Sequence, residues 1–301
     1  MWLLSILVLA LILAQTITAF APLAFTTAPS LDCSGTCVAQ GAAMSGSTKS
    51  VTLSQPLSTS PSDTSPLVIA IVGYSSTDDR VSTPPAVNGA SMGSLCTLSA
   101  GPSVPFIGIY YYSETSALSS APITVTITDS KGSSTEATLV AFAIAGASNG
   151  VAGSSPPASD VACTTSSSTS GSPSGVISGF KYQDDFVFSA AEALASSISV
   201  GSGTTQIANT GSAVSGLVGV ASCVGTSASC TSGSSSSSYT FSYTASSTGW
   251  SFADMAIKSS SATPVPLFPF GVLPVLLVMT VVYILLRQDW STRRRRKWTW
   301  N

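Results

Sequence analysis

The feature that most constrains this chain is residues 267–286, twenty residues without a charge. As a helix rising about 1.5 Å per residue, such a run reaches about 30 Å, the thickness of a bilayer's hydrocarbon core. Arg287 follows at once, and then Arg293, Arg294, Arg295, Arg296 and Lys297. Clusters of Arg and Lys stay on the cytoplasmic side of a membrane. The expectation is a single-pass, type I membrane protein, its C-terminus cytoplasmic and its body extracellular. Pro264, Pro266 and Pro269 sit at the entrance of the run, where missing amide donors matter least. Phe268 and Phe270 mark one interface, and Tyr283, Trp290, Trp298 and Trp300 the other.

The opposite end agrees. Residues 2–14 are apolar apart from Ser5, too short to span comfortably and well suited to the h-region of a secretory signal. Ala19 and Ala21 give the small-residue spacing of a cleavage site, although Pro22 would hinder cleavage after Ala21; Ile17-Thr18-Ala19 is the alternative. The stretch before the apolar run has no Lys or Arg, so an uncleaved anchor is the competing reading. The implied organisation is a signal peptide at 1–19, an irregular segment at 20–49, a β-sandwich ectodomain at 50–258, a linker at 259–266, a transmembrane helix at 267–286 and a basic tail at 287–301.

Charge is distributed accordingly. Only 8% of residues are charged, against roughly 25% in an ordinary soluble domain. Between Phe20 and Pro264 there are twelve Asp/Glu and five Lys/Arg, whereas the tail is strongly basic. A tail this short reads as a topology and anionic-lipid signal, and no nucleic-acid partner is expected. Histidine is absent, which removes the commonest general base, metal ligand and pH switch.

All six cysteines, Cys33, Cys37, Cys96, Cys163, Cys223 and Cys230, fall in the expected ectodomain. In an oxidising compartment an even number implies disulfides, with fifteen connectivities available to six. Short spacings favour Cys33–Cys37 and Cys223–Cys230, leaving Cys96–Cys163. Zinc is the rival use, but it lacks a C-x-x-C spacing and a histidine.

From Ser50 the chain alternates short β-prone runs with Gly, Ser, Pro and Asp. Strands are expected at 51–53, 67–74, 106–112, 123–128, 137–145, 185–189, 217–221, 239–243 and 250–257. Residues 67–74 are almost continuously apolar, as in a central strand, whereas 123–128 alternate, as in a half-buried one. The Ser/Gly/Pro-rich stretch 153–178 reads as an internal loop. Gly and Ser are too frequent for helices outside the apolar ends. Residues 123–145 and 239–257 share a form, read as an amphipathic hairpin, and each follows at a distance an apolar strand, 67–74 or 185–189. Two related antiparallel halves suit a Greek-key sandwich or jelly roll. The expected fold class is all-β, a single two-sheet sandwich of this kind plus one C-terminal transmembrane helix.

The sequence order LVIAIVGYSS, AVNGASM, IGIYYY, APITVTITDS, EATLVAFAIAG, DDFVFSAA and WSFADMAIK resembles secreted jelly-roll modules of surface and phage-tail-like proteins, over about residues 65–258. That resemblance implies an adhesive or structural module and carries over no functional residues. The end PVPLFPFGVLPVLLV with its basic cluster is similar to the sorting tails of surface proteins, although it lacks the acidic or Gly member of their Pro motifs.

Candidate chemistry is sparse. Gly146-Ala147-Ser148-Asn149-Gly150 matches G-x-S-x-G, but a nucleophile elbow needs a following helix and a histidine. Gly201-Ser202-Gly203 lacks the third glycine of a phosphate loop. The acidic pairs Asp78-Asp79 and Asp184-Asp185, at strand ends, are candidate calcium ligands, since Ca²⁺ takes six to eight oxygens, or a glycosidase pair; solvated turn residues are the plain alternative. Tyr110-Tyr111-Tyr112 places Tyr111 on the opposite strand face from its neighbours, so an exposed ring there could stack on a sugar or join an interface. No N-x-S/T sequon occurs; the Ser/Thr tracts near 164–174 and 231–238 are candidate O-glycan carriers or plain loops. The expected role is structural or adhesive, without catalysis and without an obligatory cofactor, toward an extracellular glycan or neighbouring surface proteins. The alternative is a carbohydrate-binding module, with calcium as the one candidate cofactor.

Overall fold

The computed structural model describes residues 29–32, 36, 38–43, 48–75, 77, 79–129, 137–147, 156–157, 159–180, 185–212, 216–222, 237–245 and 249–258. All of them belong to one compact unit, Thr26–Ser260. The expected signal segment, transmembrane run and basic tail lie outside the described residues. Among the described residues no helix is long and apolar enough to cross a membrane.

The described fold is all-β and antiparallel. The first half contains β1 (Ser30–Leu31), β2 (Val38–Ala43), β3 (Thr48–Thr52), β4 (Leu67–Tyr74), β5 (Asp79–Val87), β6 (Ala90–Ser91), β7 (Gly93–Leu98), β8 (Phe106–Ser113), β9 (Ile123–Asp129) and β10 (Ala137–Ala145). The second contains β11 (Ser159–Ser168), β12 (Ser174–Phe180), β13 (Asp185–Ala193), β14 (Ile198–Val200), β15 (Thr205–Ser212), β16 (Gly216–Ser222), β17 (Ser237–Ala245) and β18 (Trp250–Lys258).

The two halves repeat one topology. In the first, a sheet ordered β2-β10-β4-β8-β7, with β1 also on β10, faces a sheet ordered β3-β9-β5-β6. In the second, β11-β18-β13-β16-β15 faces β12-β17-β14. Setting aside the two-residue β1 and β6, strand for strand the orders coincide. The likeness between 123–145 and 239–257 is therefore real, but neither stretch is a hairpin. β9 pairs with β3 and β5 while β10 pairs with β2 and β4, so the two cross between opposing sheets; β17 and β18 do the same.

Side-chain parity explains why the central strands are continuously apolar. In β4, Val68, Ala70, Val72 and Tyr74 point into the core of the first half, with Val51, Val87, Ile123, Val125 and Ile127 opposite. Leu67, Ile69 and Ile71 point the other way, onto the second half. There they meet Phe186, Phe188, Val218, Val220, Met255 and Ile257. The second half has its own core of Ile177, Val187, Ile198, Phe241, Tyr243, Trp250 and Phe252. The unit is thus four β layers deep, with an inner interface, a seam, between the two middle sheets. A strand buried on both faces favours apolar residues at successive positions, as β4 shows, and one on an outer layer alternates, as β9 does. Phe142 anchors the seam, its ring 5.5 Å edge-on from Phe188 and 6.3 Å from Phe186. Burying one such ring contributes about 1.5–3 kcal/mol.

Three expectations are corrected by this arrangement. There is not one two-sheet sandwich: each half forms its own pair of facing sheets, because the alternate residues of β4, β10, β13 and β18 serve a second apolar interface. Residues 153–178 are not one loop, since β11 and most of β12 lie within them. The side chains of Thr164, Thr165, Ser166 and Ser167 are exposed on an edge strand, where backbone pairing needs no apolar residue. Nor is 20–49 wholly irregular, since β1 and β2 add to β10 on the first central sheet. At residues 88–89, Asn88 (φ 49°) and Gly89 (φ 83°) both take the left-handed conformation that a tight β5–β6 turn demands.

Candidate functional site

The expected site residues meet different fates. The alternation of the three tyrosines holds: Tyr110 and Tyr112 pack toward the core of the first half and Tyr111 toward the seam. But Tyr110 and Tyr111 are buried and Tyr112 is half-buried, so they offer no open aromatic platform. Burial pushes the Tyr110 hydroxyl up to about 12. Asp79 and Asp185 begin β5 and β13, are buried, and make interactions within the protein, so they are not solvated turn residues. Asp78 and Asp184 lie outside the described residues, as does Ser148 of the G-x-S-x-G match. Among the described residues, no three His, Cys, Asp or Glu side chains converge on a point.

Cys96 on β7 and Cys163 on β11 form a disulfide with Cα atoms 5.9 Å apart. It staples the first half to the second at the edge of the seam. Cys33, Cys37, Cys223 and Cys230 lie outside the described residues. A second tie crosses the seam: the Ser251 hydroxyl donates to the Pro105 carbonyl.

Two features were not singled out from the sequence. The first is a polar row within the seam. Glu192 follows Phe186, Phe188 and Ala190 on the seam face of β13 and is wholly buried. Its neighbours in register are Ser251 on β18 and Val218 on β16. Across the seam lies Gly73, whose register partner on β10 is Thr138. Neither Glu192 carboxyl oxygen nor the Thr138 hydroxyl has a hydrogen-bond partner. Desolvation holds the Glu192 carboxyl well above the usual range, so it is protonated where ordinary carboxylates are charged. A strand read as far as Ala193, with Glu192 in phase with two phenylalanines, carries the signal for this site.

The second is a cleft of about 410 Å³ lined by Ser30, Leu31, Asp32, Ser60, Ser62, Asp63 and Ala145. Asp32 closes β1, whose backbone is held on β10 by the Asp32 N–H donating to the Ala143 carbonyl at 3.0 Å. Asp63 belongs to a turn in which its N–H donates to the Ser60 carbonyl at 3.0 Å. The turn and the strand are joined where the Ser60 N–H donates to Asp32 Oδ1 at 2.8 Å. Asp63 Oδ1 accepts from the Ser65 N–H at 3.0 Å, and the Ser60 and Ser62 hydroxyls bond each other at 2.8 Å. The Oδ2 atoms of both aspartates are buried without a hydrogen-bond donor. Burial raises the Asp32 carboxyl most, the Ser60 amide offsets part of that, and the Asp63 carboxyl raises it further, by its charge and by the hydrogen bond the two carboxyls make when one holds a proton. Nothing in the local sequence links Asp32 to Asp63; only the pairing of β1 with β10 brings them together.

No family model, no curated protein and no solved structure matches this chain.

Proposed function

We propose that this chain is a membrane-anchored extracellular protein with a structural or adhesive role and no catalytic activity, its two halves being stacked Greek-key sandwiches of jelly-roll type. The observation that carries the reading is the Cys96–Cys163 disulfide, which ties strands from two halves 67 residues apart in sequence. Such bonds form and persist in oxidising compartments, outside the cytosol. The signal-like run at 2–14, the twenty uncharged residues at 267–286 and the basic cluster after them support the same placement. The jelly-roll description rests on the strand orders, in which the first and last strands of each half are neighbours and most successive strands cross between sheets, β7–β8 and β15–β16 being adjacent pairs within one sheet. A rigid four-layer body on a single anchor suits display or cell-surface packing toward neighbouring surface proteins or glycans.

The test is protease shaving of intact cells expressing the full chain with an epitope tag at each end. Protection of the C-terminal tag together with loss of the ectodomain supports the proposal. An ectodomain that resists protease until the cells are lysed overturns it.

A further inference from the structure

We propose that the cleft between Asp32 and Asp63 is a divalent-cation site, with calcium the ion its donors suit. Two observations meet there. One is the pair of carboxyl groups, brought side by side from a strand end and a turn. The other is that Asp32 is only 3% exposed, lines the cleft, and keeps Oδ2 without any hydrogen-bond donor. A buried carboxylate oxygen is ordinarily satisfied, because leaving it bare costs more than a neutral group would.

The orientation is already set. Each carboxylate spends Oδ1 on a backbone amide, Asp32 on Ser60 and Asp63 on Ser65. The two Oδ2 atoms remain, and among the described residues no Lys or Arg lines the cleft to neutralise them. Two carboxylates in contact resolve their repulsion by taking up a proton or a cation. The other polar side chains among the described lining residues are the hydroxyls of Ser30, Ser60 and Ser62, so the donors these residues offer are oxygens. An oxygen donor set of this kind selects hard ions, and the open cleft leaves room for the waters that complete six to eight ligands. The residues differ from the acidic pairs at 78–79 and 184–185, and the site does not depend on how the chain is anchored.

The experiment is thermal unfolding of the full-length chain after chelation, titrated with calcium chloride, on wild type, Asp32→Asn and Asp63→Asn. Asparagine keeps the shape and the Oδ1 acceptor but removes the charge. The expected result is a calcium-dependent rise in wild-type Tm, half complete at about 0.1–1 mM as in extracellular modules, and absent from both variants. Asp63 is half-buried on an otherwise largely exposed turn, so Asp63→Ser stands in should Asp32→Asn fail to fold. The proposal is overturned if wild-type Tm ignores calcium, or if a folded variant keeps the full response. A shared proton instead of a cation would show as a calcium-insensitive wild type that Asp63→Asn stabilises, which also overturns it.

Discussion

Glu192 on β13 and Gly73 on β4 face each other across the seam, and the carboxyl of one fills the space that a side chain on the other would need. A Cβ at position 73 would run into Glu192 Oε2 and into the Val218 side chain. Packed interiors do not absorb such additions freely. Gly73→Ala is expected to destabilise the fold by about 1–3 kcal/mol, read from the midpoint of a urea transition. An unchanged midpoint would mean that the two halves are not packed as described.

Glu192 also makes stability depend on pH in an unusual direction. Its folded-state carboxyl lies well above the unfolded value, so the folded protein holds a proton that the unfolded chain releases. The contribution is therefore fully present below the unfolded pKa of about 4.3 and declines as pH rises toward the folded value, by up to about 1.4 kcal/mol per pH unit. The facing elements supply little charge. Tyr74 on β4 is itself raised by burial, with smaller contributions from Tyr110, Asp79 and Glu192, while Asp254 on β18 pairs with Thr164. Glu192→Gln should remove this decline. Denaturation series from acid to mildly alkaline pH, taken for both proteins, check it: parallel profiles would show that Glu192 does not titrate this way.

The disulfide closes a separation of 67 residues. On a chain-entropy estimate a loop of that length contributes about 4 kcal/mol. Replacing Cys96 and Cys163 together by serine should lower stability by about 2–5 kcal/mol, and peptide mapping of the unreduced wild type should recover the two cysteines in one linked fragment. Recovery of either cysteine linked elsewhere would contradict the pairing.

Phe142 and Val176 form a contrasting pair. Phe142 is fully buried in the seam, whereas Val176 on β12 is 65% exposed. Phe142→Ala is expected to cost about 3–5 kcal/mol, and Val176→Ser less than about 0.5 kcal/mol. Chemical denaturation of both variants under one condition checks the ranking.

What could be read from the sequence follows from which layer a strand occupies. The bounds 67–74 and 137–145 are legible because these two strands, buried on both faces, are almost continuous apolar runs. Residues 123–128 are legible because an outer strand with one wet face alternates. The strands β11, β12 and β15 are hidden, since edge and outer strands rich in Ser, Thr and Gly have the composition of loops. The likeness between halves is visible, but a strand that turns back beside its predecessor and one that crosses to the opposite sheet share one local pattern. For the same reason the tyrosine faces are legible while their burial is not: parity places Tyr111 opposite Tyr110, and only the second half covers it. Asp32 and Asp63 look like ordinary polar punctuation until β1 joins β10.

The repeated strand order has a consequence for how such a body holds together. Either half alone would present Ile69, Ile71 and Phe142, or Phe186 and Phe188, to water, and would have to recruit a second copy to cover them. Two separate copies would part on dilution. About a dozen residues between Ala145 and Ser159 join the halves instead, and a short tether sets an effective concentration in the millimolar range. The union of the two halves is thereby independent of the protein's concentration.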